Sequence, residues 1–569
     1  MRANLFDQCA SSAVLQSGLL VDWLLPVEIP LRLEHYAVLI TIGHSELPED
    51  LIPRLRQFVE EGGTWIALGS PCNLPDLFGV APQTRSDGSW RTLGEGYAIG
   101  QGMASVIPEA WGQLHAFGGV AVQAETAQVW AYWLDPHANE TGIPAVMMNP
   151  YGAGRTILFA VNFGETLARL RMGRSLVERA VLPGDVPDEP NPYLLRADDA
   201  TRLDWYLDRE PCTDGIHCFL KPVADRWMES LVRAVLWAGQ QSGYVVPMVW
   251  HYPRMLEGFG VVSIDCDPAH AQYENTLSHL LTLAGVRATW CVSEVGRQTN
   301  FYRDLARKEH EIGLRYVPES DTFCRSSTIQ NQVDTLRRFT SVRAITAVQV
   351  ESLQWRGCSE FFELAERTQI KTELSRGGFY PQSAGFLFGT AHPWQPISRL
   401  RMGETIPIWV LPLLSYRAVE RVGTEQLNRI FQATRAINGV FHISVSPFVA
   451  SNTAYADGFM RLLGAIRAEG YEWQTAYEVA QWCERRQALR HKLVNIPDKP
   501  QLSLLSAQPM ARLGLLFFTP MMALAESGER QLPLTQAERY GFPCLQMETD
   551  LVEKSVREIN FQAVQMQVA

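Results

Sequence analysis

The stretch Gly260-Val-Val-Ser-Ile-Asp-Cys-Asp267 decides the fold. It is an apolar run of strand length with no turn residue inside it, which reads as a buried strand. It ends in two carboxylates one residue apart. Working outward, Ala288–Val292, Glu311–Val317, Ala344–Val350, Lys371–Leu374, Pro407–Leu411 and Val440–Ser446 are further short apolar strands. Helical periodicity separates most of them, as in Tyr273, Leu277, Leu280, Leu281 and Ala284, which fall on one helix face. Seven strands with helices between them predict a TIM-like barrel over about 246–492, with its chemistry at the strand C-termini.

Upstream, Tyr36–Gly43 and Thr64–Gly69 are apolar strands. The helix between them begins at Leu47-Pro-Glu-Asp50 and stops at Gly62-Gly63. Strand, helix, strand at this spacing predicts a right-handed βαβ unit in a doubly wound, flavodoxin-like sheet. A glycine-rich, β-leaning stretch and the strand Thr156–Asn162 complete a domain expected over 1–245, with a Pro/Asp-rich insertion at about 168–225. Gly94, Gly96, Gly100 and Gly102 lack the spacing and the strand-to-helix context of a dinucleotide fingerprint and read as turns. Cys72 with His44 is conceivable as a nucleophile and its base, but no G-x-C-x-G surrounds Cys72, and a structural loop is the simpler reading. After Arg490 the helical rhythm stops, and short strands over 493–569 predict a small β-sandwich.

The 569 residues are 46% hydrophobic and 20% charged, which excludes a disordered, collagenous or coiled-coil chain. A net charge of −11 with no Lys/Arg run offers no phosphate-binding footprint, so no nucleic-acid partner is expected. Ten cysteines without a CxxC pair support neither a zinc finger nor a disulfide framework, and read as buried thiols. No membrane span is expected, because the longest apolar stretch, Leu513–Ala525, is short and contains Pro520. With no apolar leader after Met1, the chain as written reads as cytoplasmic, although a truncated start could hide an export signal.

Two resemblances sharpen these expectations. LEHYAVLIT (33–41), FVEEGGTWIALGS (58–70), GEGYAIGQG (94–102) and the segment 144–165 resemble the glutamine-amidotransferase-like domain of family-42 β-galactosidases. That family usually opens with one more strand than this chain has. Its domain often serves oligomerisation, which implies a homo-oligomer through the N-terminal domain.

The second resemblance is to polysaccharide deacetylases. Ser263–Asp267 is similar to their first motif, Glu309–Arg315 to the segment leading into their metal-binding histidines, and Leu353–Glu366, 385–397 and 441–447 continue the series in order. The resemblance implies a deacetylase-type (β/α)7 barrel in which a divalent metal, usually zinc, is held by one Asp and two His. Carried over by position, Asp265 is the base and Asp267 a metal ligand. The two metal histidines fall on Arg315 and Glu319, and the acid histidine falls on Ser446. Arg cannot ligate a metal, but its planar fork can pair with Asp265 and Asp267 and supply the missing positive charge. The expectation is an Arg–carboxylate cluster without a metal cofactor. A rebuilt zinc site on Asp267, His270 and His442 is the rival. For those histidines and for His392, an ordinary hydrogen-bonded or exposed imidazole is the simpler reading.

Trp355, Phe379, Tyr380, Trp394 and Trp409 fall in loops expected to rim the barrel. Trp355, Arg356, Trp394 and Tyr380 are therefore candidate contacts for a glycan or N-acetylated sugar, with core packing as the alternative. The functional expectation is a carbohydrate-associated, deacetylase-like protein that has lost its metal and its acid, binding a glycan or scaffolding a partner. The alternatives are an active carbon–nitrogen hydrolase and a structural subunit.

Overall fold

A strand buried on both sides needs a sheet covered on both faces. All of Gly258–Cys266 is buried, and the strand lies near one edge of a parallel sheet. The computed structural model describes residues 5–43, 47–102, 106–176, 195–213, 215–293, 299–318, 326–340, 342–494, 501–518, 523–527 and 530–563. The sheet runs in the order Trp409–Val410, Thr372–Glu373, Ala347–Val350, Glu311–Tyr316, Thr289–Val292, Gly258–Cys266 and Phe441–Val445. Each expected strand stretch thus contains a strand. Tyr471–Gln474 also pairs in parallel with Gly258–Val261, an addition the sequence reading did not include.

The sheet curls. Leu414 N donates to His442 O and Ser444 N to Ser415 O, both at 2.9 Å. The segment after Trp409–Val410 thereby meets Phe441–Val445, the strand at the other end of the order. Glycines permit the closest approaches. A Cβ on Gly260 would sit 2.5 Å from the Trp473 ring, and one on Gly377 would sit 2.1 Å from Leu413 O. The helix Glu274–Ala284 buries Leu277 and Leu281 and ends at Gly285, whose left-handed φ of 61° lets Val286 N reach back to Leu281 O.

The chain divides into two units. One comprises Met1–Leu167, Arg226–Met255 and Arg485–Ala569, and the other Ala168–Asp225 and Leu256–Glu484. Residues 168–225 therefore cluster with the parallel sheet, and the C-terminal strands cluster with the N-terminal sheet. In the first unit Val38–Ile42, Thr64–Leu68 and Gly154–Phe159 are parallel, with helix Ile52–Glu60 between the first two. The remaining four strands of that seven-stranded sheet are antiparallel, so the sheet is mixed and not the doubly wound parallel sheet expected.

The glycine-rich stretch gives the reason. Thr92–Gly100 is a strand, so Gly94, Gly96 and Gly100 are not turns. Gly96 and Gly100 face backbone carbonyls, where a Cβ would come within 2.4 Å of Leu134 O and 2.0 Å of Ile107 O. The C-terminal strands form an antiparallel four-stranded sheet with Val246–Pro253 and a separate five-stranded one. No described helix is long and apolar enough to cross a membrane.

Gly377→Ala forces a Cβ onto the Leu413 carbonyl and so onto the segment that leads to Tyr416. It is expected to cost about 1–3 kcal/mol, read as a lower urea midpoint with an unchanged m-value.

Candidate functional site

The parallel sheet brings its chemistry to the strand C-termini. Asp265 lies next to the last residue of the Gly258–Cys266 strand and is 2% exposed. An isolated carboxylate there would be strongly disfavoured. Two other segments supply its three partners. Arg315, on Glu311–Tyr316 and 5% exposed, donates Nε–H to Asp265 Oδ1 at 2.7 Å. Tyr416 donates its hydroxyl to Oδ2 at 2.6 Å, and Arg417 Nη2 reaches the same oxygen at 3.3 Å. Both carboxylate oxygens are engaged. Burial alone would push the Asp265 pKa up and is the largest single influence, but Arg315, Arg417 and the Tyr416 hydrogen bond together hold it below the usual carboxylate range.

Asp267 has a different partner from the one expected. It pairs with Arg417, Nη2 to Oδ2 at 2.9 Å, and its Oδ1 accepts from Ala269 N at 3.0 Å. Arg315 turns its remaining nitrogen to Glu351, with Nη2 2.9 Å from Oε1. Asp267 is also held below its ordinary range. Its burial, the largest influence, is outweighed by the Ala269 N–H and by Arg417. The cluster is an alternating chain of charges: Glu351, Arg315, Asp265, Arg417, Asp267.

Ser446, where the resemblance places an acid, donates its N–H and its hydroxyl to Glu420 at 2.7 and 2.8 Å. Its oxygen also caps the Pro447–Ala450 turn by accepting from Phe448 N. The His270 Nδ1 lies 3.5 Å from Ser446 Oγ, with its ring against Phe448. His442 is away from the mouth. It is fully buried, Nδ1 lies 3.1 Å from Leu411 O, and Nε2 lies 2.9 Å from Ser263 Oγ, in a polar layer beneath Asp265 that also contains Gln349 and Ser444. Burial pushes its pKa down to about 4, so the ring is neutral at physiological pH.

Glu319 and His44 lie outside the described residues. Among the described residues no three His, Cys, Asp or Glu side chains converge as a metal would require. The described residues do not fit the metal that the deacetylase resemblance implies: Arg315 stands at a ligand position, and each oxygen of Asp265 and Asp267 already accepts a hydrogen bond. Cys72, at the other candidate position, is buried within reach of Thr41 Oγ1, and burial raises its thiol pKa.

The aromatics serve packing. Trp355, Trp394 and Trp409 are 0%, 2% and 2% exposed, and Trp355 packs on Phe361 and Phe362. Phe379 stacks on Tyr416 and carries the guanidiniums of Arg196 and Arg421 over its ring, at 3.8 and 4.3 Å. These are not open platforms for a sugar. Tyr380 is half-buried, edge-on to Phe379, and Arg356 is exposed. His392 bonds to Ile437 O.

Sequence reading missed Tyr416, Arg417, Glu420, Glu351 and the insertion residues Arg196 and Asp198. Asp198 accepts from Phe379 N and Ser383 Oγ and so fixes the loop behind Tyr416. The first three had a visible signal, because Ser415-Tyr-Arg-Ala-Val-Glu-Arg421 is a polar burst straight after an apolar strand, at the end of the sheet where site residues gather. Asp198 had none.

No family model matches the sequence, and no curated protein matches it. Among solved structures there is partial similarity of fold to two groups. A β-galactosidase from Bacillus circulans sp. alkalophilus aligns at 17% identity over 29% of this chain and 26% of its own, with a TM-score of 0.23. A putative polysaccharide deacetylase from Mycobacterium smegmatis aligns at 15% identity over 41% and 92%, with a TM-score of 0.32. A mutant of a CE4 family pseudoenzyme with restored enzymatic activity aligns at 12% identity over 40% and 69%, with a TM-score of 0.25. The chain thus spans 26% of the length of that β-galactosidase.

Two outcomes follow. Arg315→Met leaves Asp265 with less compensation and is expected to cost about 3–5 kcal/mol. Adding Asp265→Asn should recover most of that in urea titrations. Because the folded pKa of Asp265 lies below its unfolded value, its contribution is complete above the unfolded pKa and is lost as pH falls through the folded one. Arg315→Met should therefore move acid unfolding to higher pH. His442 is shifted downward, so the unfolded chain binds its proton first. The His442 contribution to stability should fall on acidification from about 6.5 toward about 4, so that the slope changes in His442→Asn. His310 and His491, also lowered, act in the same sense, and the raised Asp198 and Glu373 oppose them.

Proposed function

We propose that the second unit is a deacetylase-type (β/α)7 barrel whose metal and acid have been replaced. On this reading the protein is carbohydrate-associated and binds a glycan or scaffolds a partner in polysaccharide metabolism, without hydrolysing an amide. One observation carries the reading: both oxygens of Asp265 are occupied by Arg315, Tyr416 and Arg417. A general base needs a lone pair open to its substrate and a pKa near the working pH, whereas both Asp265 oxygens are turned to donors and its pKa is held below the usual carboxylate range. Ser446, whose hydroxyl proton is directed at Glu420, has no proton to offer a leaving amine.

The guanidiniums do electrostatically what a cation would do there, cancelling the two aspartates, but they offer no open coordination position to polarise a carbonyl or activate water. That distinction separates a retained fold from a retained activity. Glycan recognition on this reading comes from the exposed and half-buried polar rim, Arg356, Tyr380 and Glu351, since the tryptophans are internal.

Untagged protein dialysed against zinc and then freed of excess is expected to hold well below one zinc per chain and to release no acetate from N-acetylated oligosaccharides. Stoichiometric zinc together with acetate release would sink this reading in favour of a rebuilt hydrolase. Retention of soluble glycans on immobilised protein, weakened by Arg356→Ala, is the matching positive result.

A further inference from the structure

Two thiols outside the site are placed together by a hairpin. Glu210–Thr213 and Ile216–Cys218 pair antiparallel, with Glu210 opposite Cys218 and the register broken at Cys212. A bulge of this kind re-aims a side chain. Here Cys212 and Cys218 are both buried, on the two arms of the hairpin. Gln426 binds both thiols. Its Nε2 donates to Cys218 Sγ at 2.8 Å, and its carbonyl accepts from Cys212 Sγ at 3.9 Å, while Cys218 Sγ also reaches Pro381 O at 3.7 Å.

We propose that Cys212 and Cys218 are a reversible redox site, a dithiol that closes to an intrachain disulfide on meeting a low-molecular-weight disulfide. The Cys212 thiolate attacks one sulfur of the small disulfide and releases its other half as a thiol. The Cys218 sulfur, losing its proton, then attacks the mixed disulfide at Cys212. The protein S–S bond forms, and the second small thiol leaves. The pair is oxidised by two electrons and the small disulfide is reduced by two.

The order of attack follows from the different settings of the two thiols. Their mutual interaction, the largest influence on each, holds Cys212 below the ordinary thiol range and, together with burial, holds Cys218 above it. Cys291, Cys358 and Cys544, by contrast, are raised by burial. Closure removes both thiol hydrogens, so Gln426 O and Pro381 O each lose a thiol donor, while Pro381 O keeps Gln426 Nε2. Gln426 is on helix Thr424–Arg435, which directly follows the segment bearing Tyr416, Arg417 and Glu420. Oxidation therefore acts on the backbone leading out of the candidate site.

The test needs no variant. Residues 210–226 are one tryptic peptide, since trypsin cleaves after Arg209 and Arg226 but not at the Lys221–Pro222 bond between them. After incubation of the full-length chain with oxidised glutathione, denaturation, alkylation and digestion, most of this peptide is expected two hydrogens lighter and unalkylated, and dithiothreitol should reverse this. In Cys218→Ser, Cys212 is expected to retain one glutathione, while in Cys212→Ser, Cys218 takes up far less. Full alkylation of both cysteines at every ratio of oxidised to reduced glutathione, or crosslinking of either to another cysteine, overturns the proposal.

Discussion

The second unit is organised around one constraint, a carboxylate placed where water does not reach. Asp265 lies at the end of a strand buried along its length, and the cost of an unpaired charge there is several kcal/mol. The strand Glu311–Tyr316, two places along the sheet, supplies Arg315, and the loop after Trp409–Val410 supplies Tyr416 and Arg417. That loop can deliver them only because the sheet curls far enough for Leu414 and Ser415 to bond to Phe441–Val445. The curl and the charge cluster require each other: without the curl, Asp265 keeps one cation for two oxygens, and without Asp265, two guanidiniums face each other.

This arrangement also limits what the site can do. Reaction at a buried centre calls for a group whose charge or proton can change. Here Asp265 and Asp267 are held ionised, Arg315 and Arg417 are held charged by their carboxylates against the opposing effect of burial, and the Tyr416 phenol is pushed above its ordinary range by burial and by Asp265. The groups with more freedom are one step out. Glu420 is raised by burial while accepting from Ser446. Glu373, deeper in the sheet, is raised to about 7 by burial, with one oxygen bonded to Ser375 N. The centre is fixed and the periphery titrates, the reverse of what acid–base catalysis at Asp265 would need.

The strands were legible in the sequence because a covered parallel sheet leaves a plain signature of short apolar runs with period-3.6 helices between them. Asp265 was legible for a related reason, since it ends such a run, whereas Arg315 was legible only through the deacetylase resemblance, which set it at a ligand position. The antiparallel strands of the first unit were not. Thr92–Gly100 holds three glycines, Gly94, Gly96 and Gly100, and local propensity says turn. Only the approach of Leu134 O and Ile107 O, contacts from distant positions, explains why glycine sits in a strand. The tryptophans misled in the opposite sense. Loop position suggests exposure, yet Trp355 and Trp394 are covered by Phe362, whose placement depends on the whole tertiary arrangement.

The partner of Asp267 shows where residue-by-residue transfer of a motif stops. Position alone put Arg315 on both aspartates, because it stands where a ligand shared with Asp267 would stand. A metal ion can bind several carboxylates at once because it is a point charge with several coordination sites. A guanidinium is a planar fork with fixed directions, and Arg315, having spent Nε on Asp265, faces Glu351 with Nη2. Replacing a metal by arginine therefore leaves one carboxylate unserved, and a second cation has to arrive from elsewhere in the fold. Arg417 fills that need, and it brings Tyr416 with it as the neighbour that bonds the other Asp265 oxygen. The substitution at one strand end and the polar burst after another are thus two halves of one electrostatic solution, and neither makes physical sense without the other.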